Sequence, residues 1–187
     1  MFGARNQKGP SKRMRKHNYK FGHVTPWWDD SFKQLPFEYL PIKNTFDEDR
    51  WKSEGYTGIT LNGMTVNMKK LEEDMPEYAK PFLTMFDWDH IGLNYYCQNT
   101  LNIFPLHYDS YISYRKMWGI KDPARIWRCV VFLEDWKSGH YLEVDGVAQV
   151  NWRKGDYILW NNDTPHFAAN IGTEPRYTMQ ITGVQRV

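Results

Sequence analysis

The sequence predicts a mainly β fold, a jelly roll preceded by an N-terminal helical segment, and two observations carry this prediction. From residue 91 onward, short runs of β-forming residues are separated by Gly, Pro, Asn and Asp, as in a sandwich or barrel. Eight such runs fall within fewer than 100 residues, and eight is the strand number of a jelly roll. The runs span about 92–98, 105–111, 125–134, 139–144, 147–152, 156–160, 165–171 and 176–184. We therefore expect a double-stranded β-helix of the cupin-like kind.

The turn between the fourth and fifth runs supports this arrangement. Val144-Asp145-Gly146-Val147 contains the Asp-Gly pair that is typical of a tight hairpin. The two runs are therefore predicted to pair directly with each other.

The region before the β core is predicted to be partly helical. Asn67 to Asp74 combines good helix formers with two apolar residues three positions apart, which lie on one helix face. Pro76 interrupts this pattern before a second helical candidate from Glu77 to Phe86. Further upstream, the segment 25–44 is rich in Pro and aromatic residues, and we expect it to lie extended across the core.

Length and composition limit the class of protein. A chain of 187 residues favours one domain, and 41% apolar with 17% aromatic residues excludes a disordered chain. A charged fraction of 25% and a mean hydropathy of −0.71 exclude an integral membrane protein. We expect a flexible basic arm over 1–23 and a single domain over 24–187, with a helical part over 24–90 and the β core over 91–187. Since no signal-like or spanning apolar segment is present, a cytoplasmic location without a membrane partner is expected.

The basic arm raises the question of a nucleic-acid partner. Residues 1–23 contain seven Lys and Arg residues and no acid, which leaves 17 basic against 22 acidic side chains in the remainder. Such a run could bind nucleic acid, but it is more often a solvated tail. Nucleic-acid binding is therefore possible but not favoured.

Two of the β-rich runs carry residues that can bind a metal. His107 and Asp109 flank Tyr108, and because strand side chains alternate, both are expected on one face. His166 begins the seventh run, and in a two-sheet roll the second and seventh runs can be neighbours. Two imidazoles and one carboxylate form the ligand set of non-haem Fe(II) oxygenases, with three positions left open. The alternative is a strand-end histidine bonded to its aspartate, with His166 in a solvent-facing turn.

Two further histidines compete for the same role. His90 and His140 are predicted not to be ligands, because neither has a carboxylate two residues away on a plausible inner face.

An arginine begins the last β-rich run. Alternation places Arg176, Thr178 and Gln180 on one face, and a buried strand rarely begins with Arg for packing alone. A guanidinium binds a carboxylate through two parallel hydrogen bonds, so an inward Arg176 beside the Thr178 hydroxyl would hold an acid group near the metal. Alternatively, Arg176 reaches the surface or pairs with Glu174.

Taken together, these residues resemble the Fe(II)- and 2-oxoglutarate-dependent dioxygenases. The resemblance rests on His107-x-Asp109, His166 and Arg176-x-Thr178 in that order, and it covers about 92–184. The segment 152–166, with its Gly-Asp-apolar-apolar-aromatic approach to His166, is most similar to the aspartyl/asparaginyl β-hydroxylase branch. That branch usually has Gly at the position of Asp109.

The resemblance implies a cofactor, two cosubstrates and the residues that bind them. His107, Asp109 and His166 would be the catalytic residues that hold Fe(II), with 2-oxoglutarate and O2 as cosubstrates and succinate and CO2 as products. The far carboxylate of 2-oxoglutarate would be held by Arg176 and Thr178. Further contacts are expected from Tyr96, Asn94 and Arg128.

The long connection 110–124 is expected to form part of the substrate rim, since it exceeds what a hairpin needs. Arg115 and Trp118 are its candidate substrate-binding residues, and ordinary surface packing is the alternative for both. A peptide side chain is the favoured substrate. A free amino acid or small metabolite follows, and then a nucleobase presented to the basic arm.

Two other classes of protein remain open at this point. One is a non-oxidative cupin-type metal enzyme, against which Arg176-x-Thr178 argues. The other is a nucleic-acid-binding module in which the basic arm is the active part and the roll is a scaffold.

Overall fold

The computed structural model describes residues 18–40, 45–56, 63–67 and 75–186. Most of the predicted basic arm therefore lies outside the described residues. None of the helices in these ranges is both long and apolar enough to cross a membrane. The described strands are β1 Tyr19–His23, β2 Glu38–Leu40, β3 Gly63–Asn67, β4 Trp88–Gln98, β5 Ile103–His107, β6 Ile126–Phe132, β7 His140–Val144, β8 Val147–Gln149, β9 Asp156–Asn161, β10 His166–Asn170 and β11 Arg176–Gln185. The described helices are α1 Thr45–Ser53, α2 Ile112–Trp118 and three 3-10 helices at Asp30–Gln34, Glu77–Thr84 and Pro123–Arg125.

The strands form two antiparallel sheets, which confirms the predicted jelly roll. The larger sheet has the order β1-β9-β6-β11-β4-β3-β2, and the smaller sheet has the order β5-β10-β7-β8. Each of the eight predicted runs corresponds to one of the strands β4 to β11. The second run, β5, and the seventh, β10, are direct neighbours.

The Asp-Gly turn joins β7 to β8 as expected. Asp145 and Gly146 both have positive φ angles, 52° and 74°, as a type I′ hairpin turn requires. The hairpin continues in register from Val144 opposite Val147.

The N-terminal part differs from the predicted pattern. Asn67, the first residue of one predicted helix, instead ends β3, where its backbone pairs with Asn94 of β4, and residues 68–74 lie outside the described part. Pairing with a neighbouring strand outweighs the local helix propensity at this position. The second helical candidate forms a 3-10 helix over Glu77–Thr84 that contains Pro81, a residue poorly suited to an α-helix interior.

The larger sheet has a packed outer face and a mixed inner face. Its outer face buries Met179 and Ile181 of β11 against Trp28 and Phe32 of the N-terminal region and Phe82 of the 3-10 helix. Inside the roll, a second apolar cluster lies around β6, β7 and β9 and contains Val130, Phe132, Leu142, Val144, Trp152, Ile158 and Trp160.

The inner face of β11 is polar instead. Arg176 and Gln180 point inward, because the first donates to a carbonyl of the smaller sheet and the second bonds a side chain from the inner face of β6. Thr178 lies between them and is buried. The interior of the roll is therefore apolar on one side and polar on the other.

Candidate metal centre

The two predicted histidine ligands face each other across neighbouring strands. His107 at the end of β5 lies directly opposite His166 at the start of β10, and their ring centroids are 4.2 Å apart. Asp109 follows two residues after His107. One ligand atom from each of these three residues lies within 4.8 Å of the others. The structure thus gathers two imidazoles and one carboxylate at one point.

The hydrogen bonds of the two imidazoles use Nδ1 of each ring and leave Nε2 available to bind a metal ion. Nδ1 of His107 donates to the carbonyl of Pro105 at 2.7 Å, and Nδ1 of His166 donates to the carbonyl of Thr164 at 3.1 Å. Because a carbonyl can only accept, each Nε2 carries the lone pair, as in histidines that bind a metal. Burial and the neighbouring His107 lower the pKa of His166 to about 3, so its ring is neutral. This donor set fits a divalent metal ion.

One oxygen of Asp109 has a hydrogen-bond donor and an ion-pair partner. Its Oδ2 accepts from the Tyr111 hydroxyl at 2.9 Å and lies 3.0 Å from Nε of Arg128 and 3.7 Å from Nε2 of His166. Desolvation opposes ionisation of this carboxyl, but Arg128 and the two histidines outweigh it and lower the pKa of Asp109 to about 2. The carboxylate is therefore ionised and oriented.

Arg128 lies beside Asp109 at this centre. It projects from β6, its Nε also lies 3.2 Å from the Tyr111 hydroxyl, and a terminal amino group donates to Gln180 of β11. Although burial works against the cation, Asp109 raises the pKa of Arg128. Its contact with a cosubstrate stays a prediction.

Arg176 is more deeply buried than Arg128, and its surroundings differ. Only 8% of the residue is exposed, and one terminal amino group donates to the carbonyl of Tyr141 on β7 at 2.7 Å. Nε is buried without a hydrogen-bond partner, and no carboxylate within the described ranges forms an ion pair with Arg176. Desolvation lowers its pKa to about 10. Glu174, the predicted alternative partner, pairs with Lys137 at 2.7 Å instead.

Strand geometry relates Arg176 to the three clustered ligands. The carbonyl that it binds belongs to Tyr141, which lies opposite Ala169 on β10. Ala169 is three residues beyond His166, which corresponds to roughly 10 Å along the strand. The guanidinium and the histidine pair are thus separated along the roll interior by a distance of that order.

The other residues predicted to contact 2-oxoglutarate share the inner face. Tyr96 lies opposite Thr178, and Asn94 lies opposite Gln180, in the antiparallel pairing of β4 with β11. Directly paired residues point to the same side of a sheet. Their positions are compatible with the predicted contacts, which remain predictions.

The predicted substrate residues lie on the short helix α2. Trp118 is 40% exposed and stacks on His90 at 4.5 Å between ring centroids, beside a surface groove of about 390 Å³. Nε of Arg115 is buried and has no hydrogen-bond partner in the described part of the chain. Of the competing histidines, His90 makes this stacking contact, while His140 bonds the carbonyl of Glu174, so both lie outside the cluster.

Two tryptophans at the cluster had no predicted role. Trp51 of α1 is 2% exposed, its ring lies edge-on to His107 at 5.8 Å, and its indole donates to the carbonyl of Leu106. Trp160 of β9 packs against His166 at 5.0 Å between ring centroids. Nothing in the local sequence of Trp51 indicates this contact, whereas Trp160 lies in the apolar run that approaches His166.

Comparison with known proteins supports the fold. A prolyl-4-hydroxylase from Pseudomonas putida matches at a TM-score of 0.56 and 13% identity, covering 91% of this chain and 94% of that one. SnoK, a non-haem α-ketoglutarate-dependent carbocyclase of nogalamycin biosynthesis, matches at a TM-score of 0.52 and 13% identity, covering 88% and 87%. No family model and no curated protein matches the chain. The feature that this chain shares with both neighbours is the jelly-roll fold, and the aspartyl/asparaginyl β-hydroxylase branch is not confirmed.

Proposed function

We propose that the protein is an Fe(II)- and 2-oxoglutarate-dependent dioxygenase that hydroxylates a peptide side chain or a small amino-acid-like substrate. One observation carries this proposal. Arg176 is a buried cation on the inner face of the roll, with one backbone acceptor and no ion-pair partner among the described carboxylates. Because an unpaired buried charge is costly, an anionic ligand is the expected partner.

A short dicarboxylic acid would fit between the clustered metal ligands at one end of the roll interior and Arg176 at the other. His107, Asp109 and His166 would hold the metal ion, and the oxo-acid end of 2-oxoglutarate would bind that ion. Arg176 and Thr178 would bind the opposite carboxylate, since a guanidinium offers two parallel donors and the hydroxyl a third. When bound, the metal and 2-oxoglutarate would supply the oxidative chemistry that yields succinate and CO2.

The remaining residues shape the site around these groups. His107, Asp109 and His166 would hold the metal and thereby act as the catalytic residues. Trp51 and Trp160 pack on the two histidine rings and keep water from those sides of the centre. Tyr96, Asn94 and Arg128 line the inner face within the same polar half.

The substrate assignment rests on less direct support. The stretch before His166 resembles β-hydroxylases, and the Pseudomonas putida neighbour is a prolyl-4-hydroxylase, which together favour a peptide side chain. Arg115 and Trp118 on α2 are the proposed rim residues. Screening 2-oxoglutarate turnover over peptides, free amino acids and oligonucleotides would rank the substrate classes.

The reaction itself is tested by succinate formation. Purified protein with Fe(II), 2-oxoglutarate and air should release succinate slowly even without prime substrate. His107→Ala should abolish this release, whereas Tyr108→Ala on the exposed side of the same segment should retain it. Equal succinate from wild type and His107→Ala would contradict the proposal. Metal binding without any 2-oxoglutarate turnover would favour the non-oxidative cupin-type alternative.

A further inference from the structure

Arg128 joins the candidate metal ligand Asp109 to two neighbouring elements. Its Nε lies 3.0 Å from Oδ2 of Asp109 and 3.2 Å from the Tyr111 hydroxyl, which itself donates to the same Oδ2 at 2.9 Å. The other arm of the guanidinium donates to Gln180 on β11. One planar group thus contacts a carboxylate and a phenol from the segment 109–111 and an amide from β11.

We propose that Arg128 is a positioning residue that holds the Asp109 carboxylate in the orientation needed to bind the metal, an inference that rests on the proposed function. Asp109 lies two residues beyond the last residue of β5, so no backbone ladder of that strand fixes it. Its side chain is free to turn about two torsions unless other side chains hold it. Arg128 and Tyr111 supply that restraint.

The contacts of Arg128 need several nitrogen donors in fixed directions, and a positive charge alone does not supply them. A guanidinium is rigid and planar, so one arm can bond Asp109 while the other stays on Gln180. A lysine ammonium at the same position has a single nitrogen and cannot reach both acceptors in fixed directions. Groups that orient a metal ligand typically change metal affinity by about 10- to 100-fold when they are replaced.

The conformation of Tyr111 fits the same role. It has a φ of 50°, in the left-handed region that non-glycine residues seldom occupy, and it precedes α2 directly. This backbone conformation directs its hydroxyl to Asp109. A buried, unfavourable conformation that is kept beside a ligand indicates that the contact matters.

The test is Co(II) binding by the otherwise metal-free protein, followed by the visible absorption of the ion. We expect Arg128→Lys and Arg128→Gln each to weaken Co(II) binding by about 10- to 100-fold and to shift the absorption band. Arg125→Lys is the matched control, since Arg125 lies three residues earlier and bonds the carbonyl of Gln185, and it should bind like wild type. Circular dichroism checks that each variant is folded.

Each alternative gives a different result. Wild-type affinity and an unshifted band in Arg128→Lys would mean that only the charge matters, and would overturn the proposal. Tighter Co(II) binding in Arg128→Gln would mean that the positive charge of Arg128 repels the metal ion, and this result would also overturn the proposal. If Arg128→Gln does not fold, Arg128→Lys alone decides. If wild type binds Co(II) no better than His107→Ala, the metal centre itself fails, and the proposed function fails with it.

Discussion

Two arginines in neighbouring strands of the larger sheet, the partly buried Arg128 and the buried Arg176, have opposite surroundings. Arg128 on β6 has the carboxylate of Asp109 at 3.0 Å, together with an amide and a phenol. Arg176 on β11 donates to one backbone carbonyl, and its Nε has no hydrogen-bond partner among the residues that the structure describes. The protein therefore neutralises one cation internally and leaves the other without an ion-pair partner among the described residues. Under the proposed function, the first would help to build the site and the second would bind the anionic ligand.

The largest expected effect on the free energy of unfolding comes from replacing Arg128, the cation that Asp109 neutralises. Arg128→Met leaves the largely buried Asp109 without its partner, and breaking a buried pair in this way typically destabilises a protein by about 3–5 kcal/mol. Urea unfolding of the metal-free protein measures the change, with Arg125→Met as the control at a backbone-bonded arginine. A loss below about 1 kcal/mol, the range of exposed ion pairs, would show that the pair is not needed in the fold.

Replacing Arg176, the other cation, should raise the free energy of unfolding instead of lowering it. The lowered pKa of Arg176 reflects desolvation alone and corresponds to roughly 3 kcal/mol of unfavourable burial. Arg176→Met also removes one hydrogen bond of about 1.5 kcal/mol to Tyr141, so we expect a net gain of about 1–2 kcal/mol. The same urea experiment, without metal or 2-oxoglutarate, measures it. A loss as large as that of Arg128→Met would remove the distinction between the two arginines.

The phenol beside the neutralised pair provides a smaller test. Tyr111→Phe removes the hydroxyl that contacts both Asp109 and Arg128 but leaves their ion pair in place. We expect a loss of about 1 kcal/mol in the free energy of unfolding, the usual value for one hydrogen bond. A loss close to that of Arg128→Met would assign the restraint on Asp109 mainly to the phenol.

The hydroxyl beside the other arginine should matter only when ligand is bound. Thr178→Val keeps the shape of a buried residue next to Arg176 and removes one donor. We expect affinity for 2-oxoglutarate to fall about fivefold, which is roughly 1 kcal/mol, as measured by calorimetric titration of the metal-loaded protein. An unchanged affinity would place the cosubstrate away from Thr178.

The sequence predicts the core of this arrangement because alternation and spacing are local properties. His107 belongs to β5, and Arg176 begins a run whose outer positions are apolar, so the face of each follows from the pattern. Asp109 lies two residues beyond the end of β5, so alternation along the strand does not fix its side chain. The Asp-Gly turn likewise locates the β7–β8 hairpin. Eight β-rich runs were enough to identify the jelly roll.

The contacts that the sequence does not predict depend on pairing between distant segments. Arg128 lies between apolar residues of β6, but its partner Asp109 comes 19 residues earlier and belongs to the opposite side of the roll. Trp51 reaches His107 from a region outside the resemblance. Asn67 ends the strand β3, although a helix is predicted to begin at this residue, because pairing with β4 is a long-range interaction.

The most direct test of the central claim is the affinity of the iron-loaded protein for 2-oxoglutarate. Anaerobic titration of 2-oxoglutarate should produce a weak visible charge-transfer band that saturates in the wild type. Arg176→Met should need at least about 100-fold more 2-oxoglutarate, because two charge-assisted hydrogen bonds are lost, while iron affinity stays the same. Equal 2-oxoglutarate affinity in wild type and Arg176→Met would contradict the assignment of Arg176 as the cation kept for the ligand.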